Sequence, residues 1–245
     1  MKYQQFTAAA ITALSSAAIV SAAPRPLAAR DSAAGDLLGG VLGGSKSGQA
    51  TYYTTNGVQD GTCSFTGYTL PAGIFGAALS DSNWNNAASC GACVQVHAPG
   101  GKSTKAMIVD QCPGCGENHL DLFPDAFQDL AALSVGVLDV QWDIVPCDID
   151  SPISLKAKDG SSQWWFSMQV VNSNLPVKAF EVSTDGGKTW QETTRTSYNY
   201  FEKSGGFGTP NVDVRITSET GEQLVVQNAN SASNAATTGT ANFKA

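Results

Sequence analysis

The six cysteines constrain this sequence more than any other feature, because all of them lie between residues 63 and 147. An even number of cysteines in a chain that begins like a secreted protein predicts a disulfide framework. Cys90 and Cys93, followed after eighteen residues by Cys112 and Cys115, also match the spacing of a zinc ribbon. A site of four cysteines would leave the other two without partners, so we favour disulfides and expect no metal. The one-sided placement also predicts a domain boundary after the last cysteine.

The N-terminal stretch has the pattern of a secretory signal. Lys2 precedes an apolar run rich in alanine, and small residues stand directly before Ala23. The run is shorter than the ~20 residues that a membrane-spanning helix needs. We therefore interpret residues 1–22 as a signal peptide and expect a secreted, extracellular protein. Residues 23–46 are rich in Gly, Ala and Ser, and we expect a flexible pro-segment or linker.

The charge balance narrows the choice of partners. The formal net charge is −7, which argues against nucleic acid and against an anionic membrane surface. Residues 47–148 contain two lysines and ten acidic residues, whereas residues 151–245 contain eight of each sign. The charge thus divides at the same boundary as the cysteines, and a neutral partner is expected.

Residues 47–148 show the alternation of half-buried strands, and the predicted strands are residues 50–54, 77–79, 93–97, 105–109 and 138–145. One helix is predicted to begin at Phe123–Ala126, where Pro124 occupies the first turn. Many short strands with a single helix predict a small closed barrel. Asp110 and Asp121 each follow apolar residues at a strand end, where a carboxylate is well placed to face a groove. Either aspartate could equally cap a turn or the helix.

After a short linker at residues 149–153, residues 154–245 have the pattern of a β-sandwich. Strands predicted at 177–182 and 211–216 are followed by turns rich in glycine and by returning strands, which is typical of an immunoglobulin-like fold. The residue types carry no arrangement for catalysis, so this half is expected to bind. Trp164 and Trp165 are its informative residues, because an exposed indole ring stacks well on the apolar face of a sugar.

Three segments of the first domain resemble the double-psi β-barrel that expansins, barwin and family-45 endoglucanases share. They are Val109–Pro113, His119–Phe127 and Ser89–Val94. The resemblance implies a six-stranded double-psi β-barrel with short helices, followed by the immunoglobulin-like β-sandwich. It implies that Thr51, Asp110 and Asp121 line a groove. By analogy with barwin, it also implies three disulfides, which are Cys63–Cys90, Cys93–Cys147 and Cys112–Cys115.

The second domain resembles the cellulose-binding domain of microbial expansins, on the segments Lys158–Trp165 and Ser197–Phe201. The resemblance implies a flat line of rings from Trp164, Trp165 and Tyr198, with Lys158 as a polar flank. Neighbouring residues of a regular strand point to opposite faces, so such a line requires a twist or bulge at the tryptophan pair. Three other aromatic residues are expected in the core, namely Trp190, Phe180 and Phe207.

Together the resemblances imply a monomeric expansin-like protein that binds cellulose or another neutral β-glucan and loosens it without hydrolysis or a cofactor. Hydrolysis by inversion needs an acid and a separate carboxylate base. Asp121 could be the acid, but the first strand has no carboxylate. Asp60, in a glycine-flanked loop, is the nearest candidate for the base, and Asp110 is the other. Both histidines, His97 and His119, are expected to pack or cap. The first alternative is a weak family-45-like endoglucanase that uses Asp121 as general acid. The second is a barwin-like protein that binds chitin or peptidoglycan or is related to defence.

Overall fold

The computed structural model describes residues 42–54 and 57–244. The predicted signal peptide and most of the predicted linker, up to residue 41, lie outside the described residues. The described part is mainly β-structure, with one α-helix and a few short 3-10 turns. No helix in this part has the length and apolar character needed to cross a membrane.

The first half is a closed six-stranded barrel, of the double-psi type that the resemblance implied. Its strands follow the order β1-β5-β2-β4-β3-β6 around the barrel. The pairs β1/β5 and β2/β4 are parallel, and the other neighbours are antiparallel. The strands are β1 Lys46–Tyr52, β2 Phe75–Ser80, β3 Cys93–His97, β4 Ser103–Cys112, β5 Leu120–Leu122 and β6 Leu138–Val145, and helix α1 is Pro124–Leu130.

Alternation along the strands builds the barrel core. In β5, Leu120 and Leu122 are fully buried, so Asp121 between them points outward. Trp142 of β6 and Phe127 of α1 are among the largest buried side chains of this half. The inward faces of the strands therefore form an apolar interior, and the polar residues of the same strands line the outer surface.

The second half is a β-sandwich of two antiparallel sheets, in the orders β10-β9-β13-β14 and β11-β12-β8-β7-β15. Its strands are β7 Ser154–Ala157, β8 Phe166–Val171, β9 Val177–Ser183, β10 Gln191–Glu192, β11 Thr194–Arg195, β12 Phe201–Lys203, β13 Asn211–Ser218, β14 Gln223–Asn230 and β15 Ala236–Thr238.

The aromatic residues that were expected in the sandwich core differ in their placement. Phe180 is buried, and Phe207 is half-buried and packs against the core through Phe166 at 5.0 Å between ring centroids. The expectation for Trp190 was wrong, because its ring lies outside the core beneath the guanidinium of Arg215, 4.6 Å from the ring centroid. Arg215 alternates along β13 with the buried Val214 and Ile216, so the Trp190 ring lies on the outer face of its sheet.

All six cysteines form disulfides in the barrel half, in the pairs Cys63–Cys90, Cys93–Cys147 and Cys112–Cys115. The four cysteines of the alternative zinc site are thus bonded to sulfur. Cys147, the last of them, lies where the chain enters the sandwich, and its backbone N–H donates to the carbonyl of Asn174 at 3.0 Å. Further hydrogen bonds across the two halves join Tyr68 to Asn172 at 3.2 Å and Gln169 to the Cys63 carbonyl at 2.8 Å.

Candidate functional site

Three polar side chains form a hydrogen-bonded chain on the outer face of the barrel. Parallel pairing of β1 with β5 places Thr51 directly beside Asp121. The Thr51 hydroxyl donates to Oδ1 of Asp121 at 2.5 Å. Because a hydroxyl has one proton, Thr51 must accept from Nε2–H of His119, which lies 2.8 Å away. The donors therefore run from His119 through Thr51 to Asp121.

His119 was expected to pack or cap, and the structure instead places it in this chain. Partial burial lowers the pKa of His119, and the negative charge of Asp121 opposes part of that shift. Its position two residues before Asp121 was the available signal, because residues i and i+2 of an extended segment share a face. His97 lies apart, beside a cavity of about 630 Å³ on the outer face of β1, β3 and β6.

Asp110 occupies the same face, two strands away from Asp121. Both aspartates pair with Ala78 of β2, Asp110 from β4 and Asp121 from β5. Two inter-strand spacings separate their backbones by about 10 Å. Oδ1 of Asp110 accepts backbone N–H groups from Thr62 at 2.7 Å and from Gln111 at 2.8 Å. The carboxylate is thus held in place by loop and strand donors.

Tyr53 lies near both aspartates, and the sequence did not single it out. Its hydroxyl donates to Asp110, and the pKa of Tyr53 is raised by burial and by the charges of Asp110 and Asp121. The residue continues β1 two positions beyond Thr51, so the shared face of an extended chain was again the signal. With Thr51, His119 and the two aspartates, Tyr53 completes a polar surface that we call the groove.

The Tyr53 ring packs against the ring of Phe123. It meets Phe123 edge to face, with 5.7 Å between the centroids. Phe123 lies so close over Gly76 that a Cβ at that position would overlap the ring. A glycine in β2 is therefore needed for the Phe123 ring to reach its place.

Asp60, the alternative carboxylate, is exposed at the end of a short 3-10 turn, Val58–Asp60. The structure does not bring it into the hydrogen-bonded set. Among the described residues of this loop, Thr62 donates its backbone N–H to Asp110. Of the two aspartates in the groove, Asp110 therefore accepts three hydrogen bonds, from Thr62, Gln111 and Tyr53.

In the sandwich, Trp164 and Trp165 lie in a tight turn ahead of β8, which is closed by a bridge between Ser162 and Trp165. The turn replaces the twist or bulge that the sequence analysis required. Trp164 is 67% exposed and Trp165 is half-buried. The carbonyl of Gln163 accepts from the backbone N–H groups of Phe207 and Gly208, at 3.0 and 2.9 Å. The neighbouring loop therefore supports the turn.

The predicted Lys158 and Tyr198 lie beside this turn. Nζ of Lys158 is 5.6 Å from the Trp165 ring centroid and 6.0 Å from that of Tyr198. Tyr198 is 37% exposed and its hydroxyl donates to Glu202 at 2.9 Å. Burial, followed by the hydrogen bond and charge of Glu202, raises the pKa of Tyr198. We call Trp164, Trp165 and Tyr198, with Lys158 among them, the platform.

The groove and the platform differ in what they can do. The groove presents hydroxyl and carboxylate groups, which suit the hydroxyls of a sugar, and its described residues include no cluster suited to a metal ion. The platform presents ring faces, which suit the apolar faces of pyranose rings.

Comparisons with known proteins identify relatives of this chain. The double-psi β-barrel family model described as lytic transglycolase matches residues 76–142. Expansin-like protein 5 of Dictyostelium discoideum is 36% identical over 185 residues, which cover 72% of this chain and 76% of that protein. Expansin-YoaJ of Bacillus subtilis is 31% identical over 174 residues, covering 69% of this chain and 72% of the relative.

Among solved structures, the chain is similar to the expansin of Clavibacter michiganensis. The TM-score is 0.73 at 27% sequence identity, and the match covers 82% of this chain and 98% of the other. A variant of that Clavibacter protein has been solved in complex with cellohexaose, and it matches this chain equally well. The similarity extends over both the barrel and the sandwich.

Proposed function

Because the chain belongs to the expansin family, we propose that it binds cellulose and related neutral β-glucans of the plant cell wall and loosens them without hydrolysis. The observation that carries this proposal is the platform. Two of its rings, Trp164 and Tyr198, are among the few large apolar side chains exposed in the described part of the chain. The complex of the related Clavibacter protein with cellohexaose supports the same ligand class.

The physical basis for docking is ring stacking without strong charge. A pyranose ring has apolar C–H faces, and an aromatic side chain covers one of them with little loss of side-chain entropy. The sandwich half carries eight charges of each sign, so it neither repels nor concentrates a charged polymer. A neutral glucan with flat, repeated pyranose faces is the polymer that suits this surface.

We propose that the groove holds a second glucan chain and does not cut it. Inverting hydrolysis would need a base carboxylate roughly 6.5–9.5 Å from the acid, free to activate a water. Asp110 is held by Thr62, Gln111 and Tyr53, and β1 supplies no carboxylate. Hydroxyl and carboxylate contacts from Thr51 and Asp121 can still bind sugar hydroxyls. Binding at both surfaces would pull neighbouring glucan chains apart by replacing their mutual contacts.

The remaining expectations belong to the same proposal. The protein acts outside the cell after removal of residues 1–22, as a monomer without a cofactor. Nucleic acid and membranes are not partners. The three disulfides fit an extracellular setting, because such bonds persist in oxidising compartments.

Pull-down on insoluble polysaccharides tests the platform. We expect the wild-type protein to bind cellulose. The triple variant Trp164→Ala, Trp165→Ala, Tyr198→Ala should bind about tenfold or more weakly, because each lost ring removes about 0.5–1.5 kcal/mol of binding free energy. Trp190→Ala is the matched control, because this tryptophan lies away from the platform and should leave binding unchanged. Undiminished binding by the triple variant would refute the platform.

One observation favours a second candidate, a weak endoglucanase. The negative charges of Asp110 and Asp121 both raise the pKa of Tyr53, so two carboxylates do face one groove. Steady release of reducing ends from soluble β-glucan, abolished by Asp121→Asn, would establish this activity. The barwin-like alternative predicts chitin or peptidoglycan as the ligand, and both belong in the same pull-down.

A further inference from the structure

Tyr198 is exposed, yet the residues on both sides of it are bound to the barrel. The carbonyl of Ser197 accepts from the indole N–H of Trp84 at 3.1 Å. The side-chain amide of Asn199 donates to the carbonyl of Cys63 at 3.2 Å. Trp84, Asn199 and Cys63 are all buried. The backbone that carries the Tyr198 ring is thus held between two barrel residues.

Strand β11, which leads into this turn, is held in the same way. The side chain of Asn86 donates to the carbonyl of Arg195 at 2.7 Å. The Arg195 guanidinium donates to the carbonyl of Ala87 at 3.0 Å and to that of Val177, and it lies 4.5 Å from the Phe201 ring centroid. Burial lowers the pKa of Arg195 to about 10, so the group remains charged at neutral pH. Arg195 therefore bridges the barrel and both sheets of the sandwich.

The barrel turn that makes these contacts has an unusual backbone. Three consecutive residues other than glycine, Asn85, Asn86 and Ala87, have φ of 39°, 54° and 62°. Left-handed backbone costs energy at each such residue and persists where its surroundings demand it. The turn is also linked to Cys63, because the Ala87 carbonyl accepts from Cys90 N–H and Cys90 forms a disulfide with Cys63. The barrel residues on the two sides of Tyr198 therefore belong to one cross-linked segment.

We infer that the barrel is part of the cellulose-binding site, with Trp84, Asn86 and Cys63 acting as positioning residues for Tyr198. The inference rests on the proposed function, since it assumes that the Tyr198 ring contacts the glucan. Its consequence is that the platform is complete only when the barrel holds the turn at Tyr198. The ring position and the groove then form one fixed surface.

The test uses the full-length chain and a matched pair of variants. Asn86→Gly removes the side-chain donor to Arg195 and keeps a backbone that tolerates positive φ. Asn85→Gly makes the same change at the next position, where no side-chain hydrogen bond is found among the described residues. We expect Asn86→Gly to bind microcrystalline cellulose about threefold to tenfold more weakly than wild type, and Asn85→Gly to bind within about twofold of it. Trp84→Phe, which keeps a ring and deletes the N–H, should behave like Asn86→Gly.

A double-mutant cycle separates positioning from general stability. In a Tyr198→Ala background, Asn86→Gly and Trp84→Phe should change cellulose binding by less than about twofold, although their effects on melting temperature persist. Equal losses of binding with and without Tyr198 would overturn the inference, as would unchanged binding in both single variants. If Tyr198→Ala alone leaves binding unchanged, the Tyr198 ring does not contribute to binding and the inference is overturned. The platform itself fails only if the triple variant Trp164→Ala, Trp165→Ala, Tyr198→Ala also binds like the wild type, so the two failures are distinguishable.

Discussion

At the scale of single residues, His119 lies in the groove and donates through Nε2–H to Thr51. Partial burial lowers the pKa of His119, so the folded protein binds this proton less readily than the unfolded chain, whose histidine titrates near 6.5. The stabilising effect of a neutral His119 is complete above that pH and is lost as the pH falls through the lowered pKa of the folded state. Asp121, the charged group nearest to it, reduces the size of the effect.

We therefore predict that His119→Gln loses less stability than the wild-type protein between pH 7 and about pH 5. Glutamine keeps a side-chain N–H for Thr51 and removes the titration. Urea denaturation at several pH values provides the measurement, and His97→Gln, on another face of the barrel, is the control for replacing a histidine with glutamine. Parallel curves for wild type and His119→Gln would contradict the assignment.

Gly76 carries a second prediction at this scale. A Cβ at Gly76 would overlap the Phe123 ring, so Gly76→Ala should destabilise the barrel by about 1–3 kcal/mol, the usual cost of overpacking. Gly116→Ala is the matched control, because nothing lies within 4 Å of a Cβ there. The midpoint of urea denaturation compares the two variants. A midpoint for Gly76→Ala equal to that of Gly116→Ala would show that the ring is not packed as described.

At the scale of elements, the tryptophan turn depends on the loop that follows β12. Gly206 has φ of 59°, and a Cβ there would overlap the carbonyl of Gln163. Gly206→Ala should therefore displace the turn that carries Trp164 and Trp165, and weaken cellulose binding about threefold or more. Gly205→Ala, with open space at its Cβ, should bind like wild type. Cellulose pull-down of both variants checks this, and equal binding by the two would contradict it.

The strands were largely predictable from the sequence, whereas the contacts between them were not. Alternation alone locates β3 and β6, because both are long enough to show the period of two. Strand β5 has three residues, too few for any period to be visible, and it is not among the strands predicted from alternation. Yet β5 carries Asp121 and pairs with both β1 and β2. The resemblance to known barrels, and not the pattern, placed Asp121 in the groove.

The same limit explains the residues whose placement differed from expectation. Tyr53 and His119 are common residue types with no local motif, and parallel pairing between distant segments brings them together. Trp190 was expected in the core on its size alone. Its position beside an edge strand and the Arg215 guanidinium follow from sheet order, which no local window of sequence contains.

At the scale of the whole molecule, the two halves of the protein each carry one of the two proposed binding surfaces. The barrel contributes the groove, the sandwich contributes the platform, and hydrogen bonds from Trp84, Asn86 and Tyr68 join the two halves. Binding at both surfaces without cleavage is the central claim. This claim requires that the protein increases the extension of a wall material while the glucan chains remain uncut.

The most direct measurement follows the extension of a clamped, heat-inactivated plant cell-wall strip while reducing ends are assayed in the same bath. The account predicts that the wild-type protein increases extension and releases no reducing ends above the buffer control. The triple variant Trp164→Ala, Trp165→Ala, Tyr198→Ala should cause little extension. Extension accompanied by a steady release of reducing ends, both abolished by Asp121→Asn, would contradict the account and establish a glucan hydrolase.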